Sequence, residues 1–134
     1  MSSIALLTRR GASCSDLLNC LYDLTPVESE LFYILIKNSP KTLDQLAKLI
    51  KRDRSTTHRC LQKLVSAGLS YKETKGLKEG GYYHVYSATE LSKIKNQSEQ
   101  KVDEVCTSLR RLIESFETDV RRHLKSVTPA SPIK

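Results

Sequence analysis

Tryptophan is absent from the 134 residues and phenylalanine occurs only twice, so a core has to be assembled mainly from leucine, isoleucine and valine, a composition that suits helices. No apolar run approaches the ~20 residues needed to cross a bilayer, and Ile4 to Leu7 is too short for the apolar centre of a secretion signal. The expectation is a cytoplasmic protein that makes no use of a membrane. Cys14, Cys20, Cys60 and Cys106 form no CxxC pair and have no histidine at metal-finger spacing, which argues against structural zinc and for free thiols in a reducing compartment. Glycine is scarce and forms no phosphate-cradling loop, while His58, His84 and His123 stand apart from acids and nucleophiles. No residue is therefore assigned a catalytic role, and neither cofactor nor metal is expected.

What the chain does have is positive charge in one place. Between Lys37 and Lys78, 11 Lys/Arg stand against Asp44, Asp53 and Glu73, a balance of +8, whereas the rest of the chain carries 11 Lys/Arg and 12 acids. A block of that sign within about a third of the chain creates a local potential suited to a polyanion.

Residues 1 to 12 show no clear periodicity and read as a loose arm. Leu17, Leu18, Leu21 and Tyr22 make one apolar face of a short helix near 13 to 23. Thr25-Pro26-Val27-Glu28 has the spacing of a capping box with proline in the first turn, predicting a helix over 26 to 38 with Val27, Leu31, Ile34 and Leu35 inward. Thr42 and Gln45 repeat the box and open a helix over 42 to 50, with Leu43, Leu46, Ala47, Leu49 and Ile50 inward. After a turn of two or three residues Asp53 caps a helix over 54 to 67, and Gly68 ends it. Thr57, Cys60, Leu61, Leu64 and Val65 form its buried stripe, so the opposite face carries Ser55, Thr56, Arg59, Gln62 and Lys63, with His58 on the flank. Each of those six side chains can donate a hydrogen bond.

Beyond Gly68 the period turns from helical to alternating, predicting a two-stranded wing over 69 to 87 with the glycine-containing stretch 75 to 81 at its tip. Tyr82, Tyr83 and Tyr86 read as packing and strand residues. From Thr89 to Ser126 there is neither proline nor glycine, and Val102, Val105, Leu109, Leu112 and Phe116 recur at 3, 4, 3, 4. Leu91, Ile94, Val120, Leu124 and Val127 extend that seam with phase shifts. Such a helix is too long to bury its stripe against so small a body, and a second copy is the simplest cover.

Helix, tight turn, helix with a donor-rich outer face, then a wing is the order used by winged helix-turn-helix DNA readers. On that reading the second helix enters the major groove, where Arg59 can make two bonds to guanine, Gln62 can pair with adenine, and Ser55 and Thr56 reach bases or phosphates. Lys51, Arg52, Arg54, His58 and Lys63 suit phosphates, and Lys75 and Lys78 on the wing reach backbone or minor groove. The fold class expected is mainly α with a small β wing, a winged helix-turn-helix followed by a long dimerisation helix. Its parts would be a flexible arm (1–12), the DNA-binding domain (13–88), the dimerisation helix (89–127) with Leu91, Ile94, Val102, Val105, Leu109, Leu112, Phe116 and Val120 on the seam, and a disordered tail (128–134).

The runs LTPVESELFYILIKN, TLDQLAKLIKRDRSTTHRCLQKLVSAGL and GGYYHVY, spanning Leu24 to Tyr86, resemble the DNA-binding domain of the archaeal TrmB-type regulators, a branch related to the MarR-like winged helices. The resemblance implies a homodimer that places two recognition helices in successive major grooves of a pseudo-palindromic operator. It also implies a departure: full-length TrmB proteins carry a C-terminal sugar-binding domain, the long helix stands in its place here, and no basis for a sugar effector remains. Two other readings stay open. A winged helix can serve as a protein-interaction adaptor of the transcription machinery, which would need no donor-rich face, and oxidation of Cys60 or Cys106 could modulate binding.

Overall fold

The computed structural model describes residues 3–126. Its elements follow the order α1 (Ser3–Thr8), α2 (Cys14–Tyr22), α3 (Pro26–Asn38), α4 (Leu43–Ile50), α5 (Arg54–Ser66), β1 (Ser70–Gly76), β2 (Tyr82–Ala88) and α6 (Leu91–Ser126). The helix starts are those the caps predict. Thr25 and Thr42 each accept a bond from the third backbone N–H of their helix, and the Glu28 and Gln45 side chains accept from the cap N–H in return.

The end of α5 is equally local in origin. Gly68 sits at φ +77°, the left-handed region, while its N–H donates to Val65 O and the Leu69 N–H donates to Leu64 O. That pair of bonds is a Schellman closure, and fully buried Leu64 and Leu69 supply its hydrophobic contact. The Gln97 side-chain amide donates to the Ala67 and Gly68 carbonyls and to the Tyr22 hydroxyl, so the first turns of α6 help to seal the same helix end.

Two compact units make up the chain, one ending at Gln97 and one beginning at Ser98. In the first, Leu31 and Leu35 of α3, Leu46 of α4, Leu61 and Leu64 of α5 and Leu69 are all fully buried, with Phe32, Ile50, Tyr86 and Ile94 closing around them. The two strands pair antiparallel with Ser70 opposite Ala88 and Gly76 opposite Tyr82. A short antiparallel bridge adds Lys41 to Tyr86, each N–H donating to the other's carbonyl, which fastens the wing to the loop before α4. In the second unit α6 continues as helix to Ser126, and none of its residues is buried.

Several expectations are corrected here. Residues 3–8 form a short helix rather than a loose arm. Leu49 is exposed, because it lies about 80° from the centre of the face that Leu46 and Ile50 share. Val65, at the margin of the α5 stripe, and Leu17 of α2 are also exposed. Ile94 belongs to the core of the first unit, which withdraws it from the seam. Val127 and the tail 128–134 lie outside the described residues.

Candidate nucleic-acid interface

Helix α5 is held by its two ends and one side, leaving the other side open. Asp53 caps it: one carboxylate oxygen accepts the Thr56 N–H at 3.1 Å and the other the Thr56 hydroxyl at 2.6 Å. Those hydroxyl and amide bonds, with a smaller contribution from the Arg59 guanidinium, hold the Asp53 carboxyl below its usual range. Thr57, fully buried, returns its hydroxyl to the Asp53 carbonyl, and Cys60, Leu61 and Leu64 fix the inward face. Ser55, His58, Arg59 and Gln62 remain exposed on the outward face.

The turn leading into α5 is built from cations. Lys51 takes a left-handed conformation, φ +57°, where a lysine side chain is strained, and the Arg52 N–H donates to Ala47 O to close α4. Both side chains are exposed. Arg54 forms an exposed ion pair with Asp44 at 3.0 Å, a contact that solvent screens strongly.

The wing and α5 border one groove of about 530 Å³. Arg54, Ser55 and His58 line one side, and Tyr82, Tyr83 and His84 of β2 the other. His84 Nδ1 lies 3.1 Å from the Thr74 hydroxyl across the strand pair, which orients the ring. At the tip, left-handed Gly80 and Gly81 let the chain reverse so that the Leu77 N–H donates to Gly81 O. Lys78 is exposed there, and Lys75 pairs with Glu73 at 3.4 Å.

Of the residues expected to meet DNA, nine are exposed, namely Lys51, Arg52, Arg54, Ser55, His58, Arg59, Gln62, Lys75 and Lys78, and three of them, Arg54, Ser55 and His58, line the groove beside the wing. Two are reassigned. Lys63 is turned toward the body, where it pairs with Glu28 at 3.1 Å and donates to the Asp23 carbonyl, tying α5 to the start of α3. Thr56 spends its hydroxyl proton on Asp53, so it positions the helix and has no free donor to offer. Three were missed. Tyr82, 79% exposed, and Tyr83 are surface residues rather than packing residues, and His84 lines the groove with them. Strand alternation held the signal, since Tyr82 and His84 share the face of Tyr86, which is anchored beside α4 and α5.

The cysteines give no support to a reactive thiol in α5. Cys60 is buried, and burial, then the Glu28 charge, pushes its thiol up. Cys106 is exposed on α6.

Residues 18–92 match the family described as sugar-specific transcriptional regulator TrmB, more than half of the chain. The chain is 30% identical over 114 residues to the uncharacterized protein MJ1503 of Methanocaldococcus jannaschii, covering 84% of this chain and 86% of that one. Among solved structures it is similar to a possible transcriptional regulator of Methanosarcina mazei, with TM-score 0.69 at 21% identity over 81% of this chain and 95% of the other. It is also similar to S. aureus MepR in a complex with DNA, with TM-score 0.50 at 18% identity over 85% and 89%. At those identities the two structures establish a shared fold, the winged helix of regulators.

Proposed function

The chain belongs to the TrmB family of transcriptional regulators, and from that premise we propose that it binds double-stranded DNA sequence-specifically as a homodimer. Helix α5 enters the major groove and the wing, residues 70–88, follows the backbone or minor groove. The observation that carries this reading is the shared groove, in which Arg54, Ser55 and His58 at the start of α5 face Tyr82, Tyr83 and His84 of the wing across a gap open to solvent. Arg59 and Gln62 suit base edges, since a guanidinium and a carboxamide each present paired hydrogen-bonding groups. Lys51, Arg52, Arg54, Lys75 and Lys78 suit phosphates. The likeness to a MarR-type protein seen with DNA supports the same use of the fold here. A regulator of this kind works where the DNA is, in the cytoplasm, and no helix among the described residues is long and apolar enough to cross a membrane.

Fragments selected from the host genome provide the test. With about four phosphates neutralised per protomer, log K falls against log salt with a slope near about −7. Arg59→Ala weakens the selected site by about 1–3 kcal/mol and random DNA far less, whereas Lys78→Ala weakens both alike. A slope near zero, or retention on heparin with no shifted fragment, overturns the reading in favour of a protein adaptor.

A further inference from the structure

Three adjacent residues at the start of α5, Ser55, Thr56 and Thr57, carry hydroxyl groups, and the fold treats each differently. Thr57 is fully buried with its hydroxyl given to the Asp53 carbonyl, and the Thr56 hydroxyl donates to the Asp53 carboxylate at 2.6 Å. The Ser55 hydroxyl is exposed, lines the groove beside the wing and makes no hydrogen bond to any described residue. Lys51, Arg52 and Arg54 precede it, and His58 and Arg59 stand one turn on, at the i+3 and i+4 positions that share its face. All five are exposed. Two carboxylates belong to the same region and both are engaged: Asp53 accepts from Thr56, and Asp44 pairs with Arg54 at 3.0 Å in a contact open to solvent.

We infer that Ser55 is the acceptor of a phosphoryl group and that its phosphate ester switches DNA binding off. This rests on the DNA-binding reading above and adds its regulation. In the transfer Ser55 Oγ attacks the γ-phosphorus of a nucleoside triphosphate, the bond from that phosphorus to the β–γ bridging oxygen breaks, and the nucleoside diphosphate leaves. The hydroxyl proton passes to a base of the kinase that brings the nucleotide. Acidic groups on that kinase have Lys51 and Arg52 to dock against, on the N-terminal side of the acceptor. The product carries a charge of about −1.5 to −2 and three acceptor oxygens among arginines in the first turn of a helix, an arrangement that keeps the helix folded. Arg54 and Arg59 then serve a phosphate of their own chain in place of DNA, and an incoming backbone meets like charge in the groove.

Phosphoserine incorporated at position 55 of the full-length chain tests the switch on genomic fragments selected by the unmodified protein. Affinity for the selected site and for random DNA both fall by about 100-fold or more, and the slope of log K against log salt becomes shallower by about two per protomer. The melting temperature holds or rises, which separates the effect from unfolding. Ser55→Ala, which removes the hydroxyl and adds no charge, costs less than about tenfold. An unchanged affinity or an unchanged slope for the phosphorylated chain overturns the switch. Use of the acceptor is read separately, by incubating the full-length chain with host extract and a nucleoside triphosphate labelled at the γ-phosphate. Label is expected in the tryptic peptide of residues 55–59, lost in Ser55→Ala and kept in Thr56→Val. No label in that peptide, or label that survives Ser55→Ala, overturns the assignment of the acceptor. An unmodified chain that shifts no fragment overturns the DNA-binding reading, and with it the switch, while the label still decides the acceptor.

Discussion

Leu61 of α5 and Leu109 of α6 occupy the same kind of position, an apolar stripe on a well-capped or glycine-free helix, yet Leu61 is fully buried and Leu109 is 46% exposed. The difference lies in what surrounds each helix. Leu61 is enclosed by α3, α4 and the wing, so its transfer from water is complete within one chain. In the segment from Ser98 to Ser126 the intrinsic propensity for helix is satisfied, yet the stripe residues Val102, Val105, Leu109, Leu112 and Phe116 are all exposed among the described residues. On the proposed homodimer, an apolar face of that length left open in water is the surface that a second copy covers. On the proposed function, residues 3–97 would read DNA and residues 98–126 would join two copies.

The comparison is broken most decisively by truncating both leucines. Leu61→Ala should cost about 2–5 kcal/mol of folding stability at any protein concentration, since it opens a cavity in a closed core. Leu109→Ala should leave the midpoint of the first unit nearly unchanged at low concentration and raise the dissociation constant of the dimer instead. Denaturant titrations at two concentrations separate the cases, and equal losses for both variants would show that the two stripes are covered alike.

A smaller effect is expected at the strained turn. Lys51→Gly relieves a left-handed lysine and should raise stability by about 0.5–1 kcal/mol, while DNA affinity falls through loss of a phosphate contact. If stability and affinity move in the same direction, the strain at Lys51 is unconnected with binding.

Lys63 sharpens the boundary between scaffold and reader. Lys63→Met should lower stability by up to about 1 kcal/mol, a figure held down because the lysine side chain is 36% exposed and its pair with Glu28 is partly screened. The salt dependence of DNA binding should not change, and a slope shallower by about one would return Lys63 to the phosphate contacts.

The smallest effect concerns acid. Asp53 titrates below its ordinary value of 3.8 in the folded chain, first through the Thr56 hydroxyl bond. Its contribution to stability is therefore present above the unfolded value and is lost as pH falls through the lower, folded one. Asp53→Asn should flatten the decline of stability below pH 3.8, read by thermal melts across that range. An unchanged acid limb would mean that the cap does not titrate with folding.

Much of the fold was legible because its signals are short-range. Thr25, Thr42 and Asp53 find their partners within three residues, and Gly68 closes α5 through atoms no more than five residues away. The outward face of α5 followed from the helical period, which is why most of the exposed donors were named from spacing alone. What escaped was set by distant partners. Glu28 claims Lys63 from another helix, Lys41 pairs with Tyr86 across the body, and Ile94 turns into a core assembled from α2 to α5. Tyr82 and His84 joined the candidate interface only once that bridge had fixed the wing beside α5.

By itself the amino-acid order determined where helices begin and end, which face of α5 is polar, where positive charge collects and that α6 carries an unfinished stripe, since all of these depend on neighbours within a turn or two. Only the tertiary structure decided which cations stay at the surface, which tyrosines border the groove and where the closed core stops, at Ile94. Those outcomes depend on which residues meet across tens of positions, and a linear pattern holds no record of such encounters until the chain has packed.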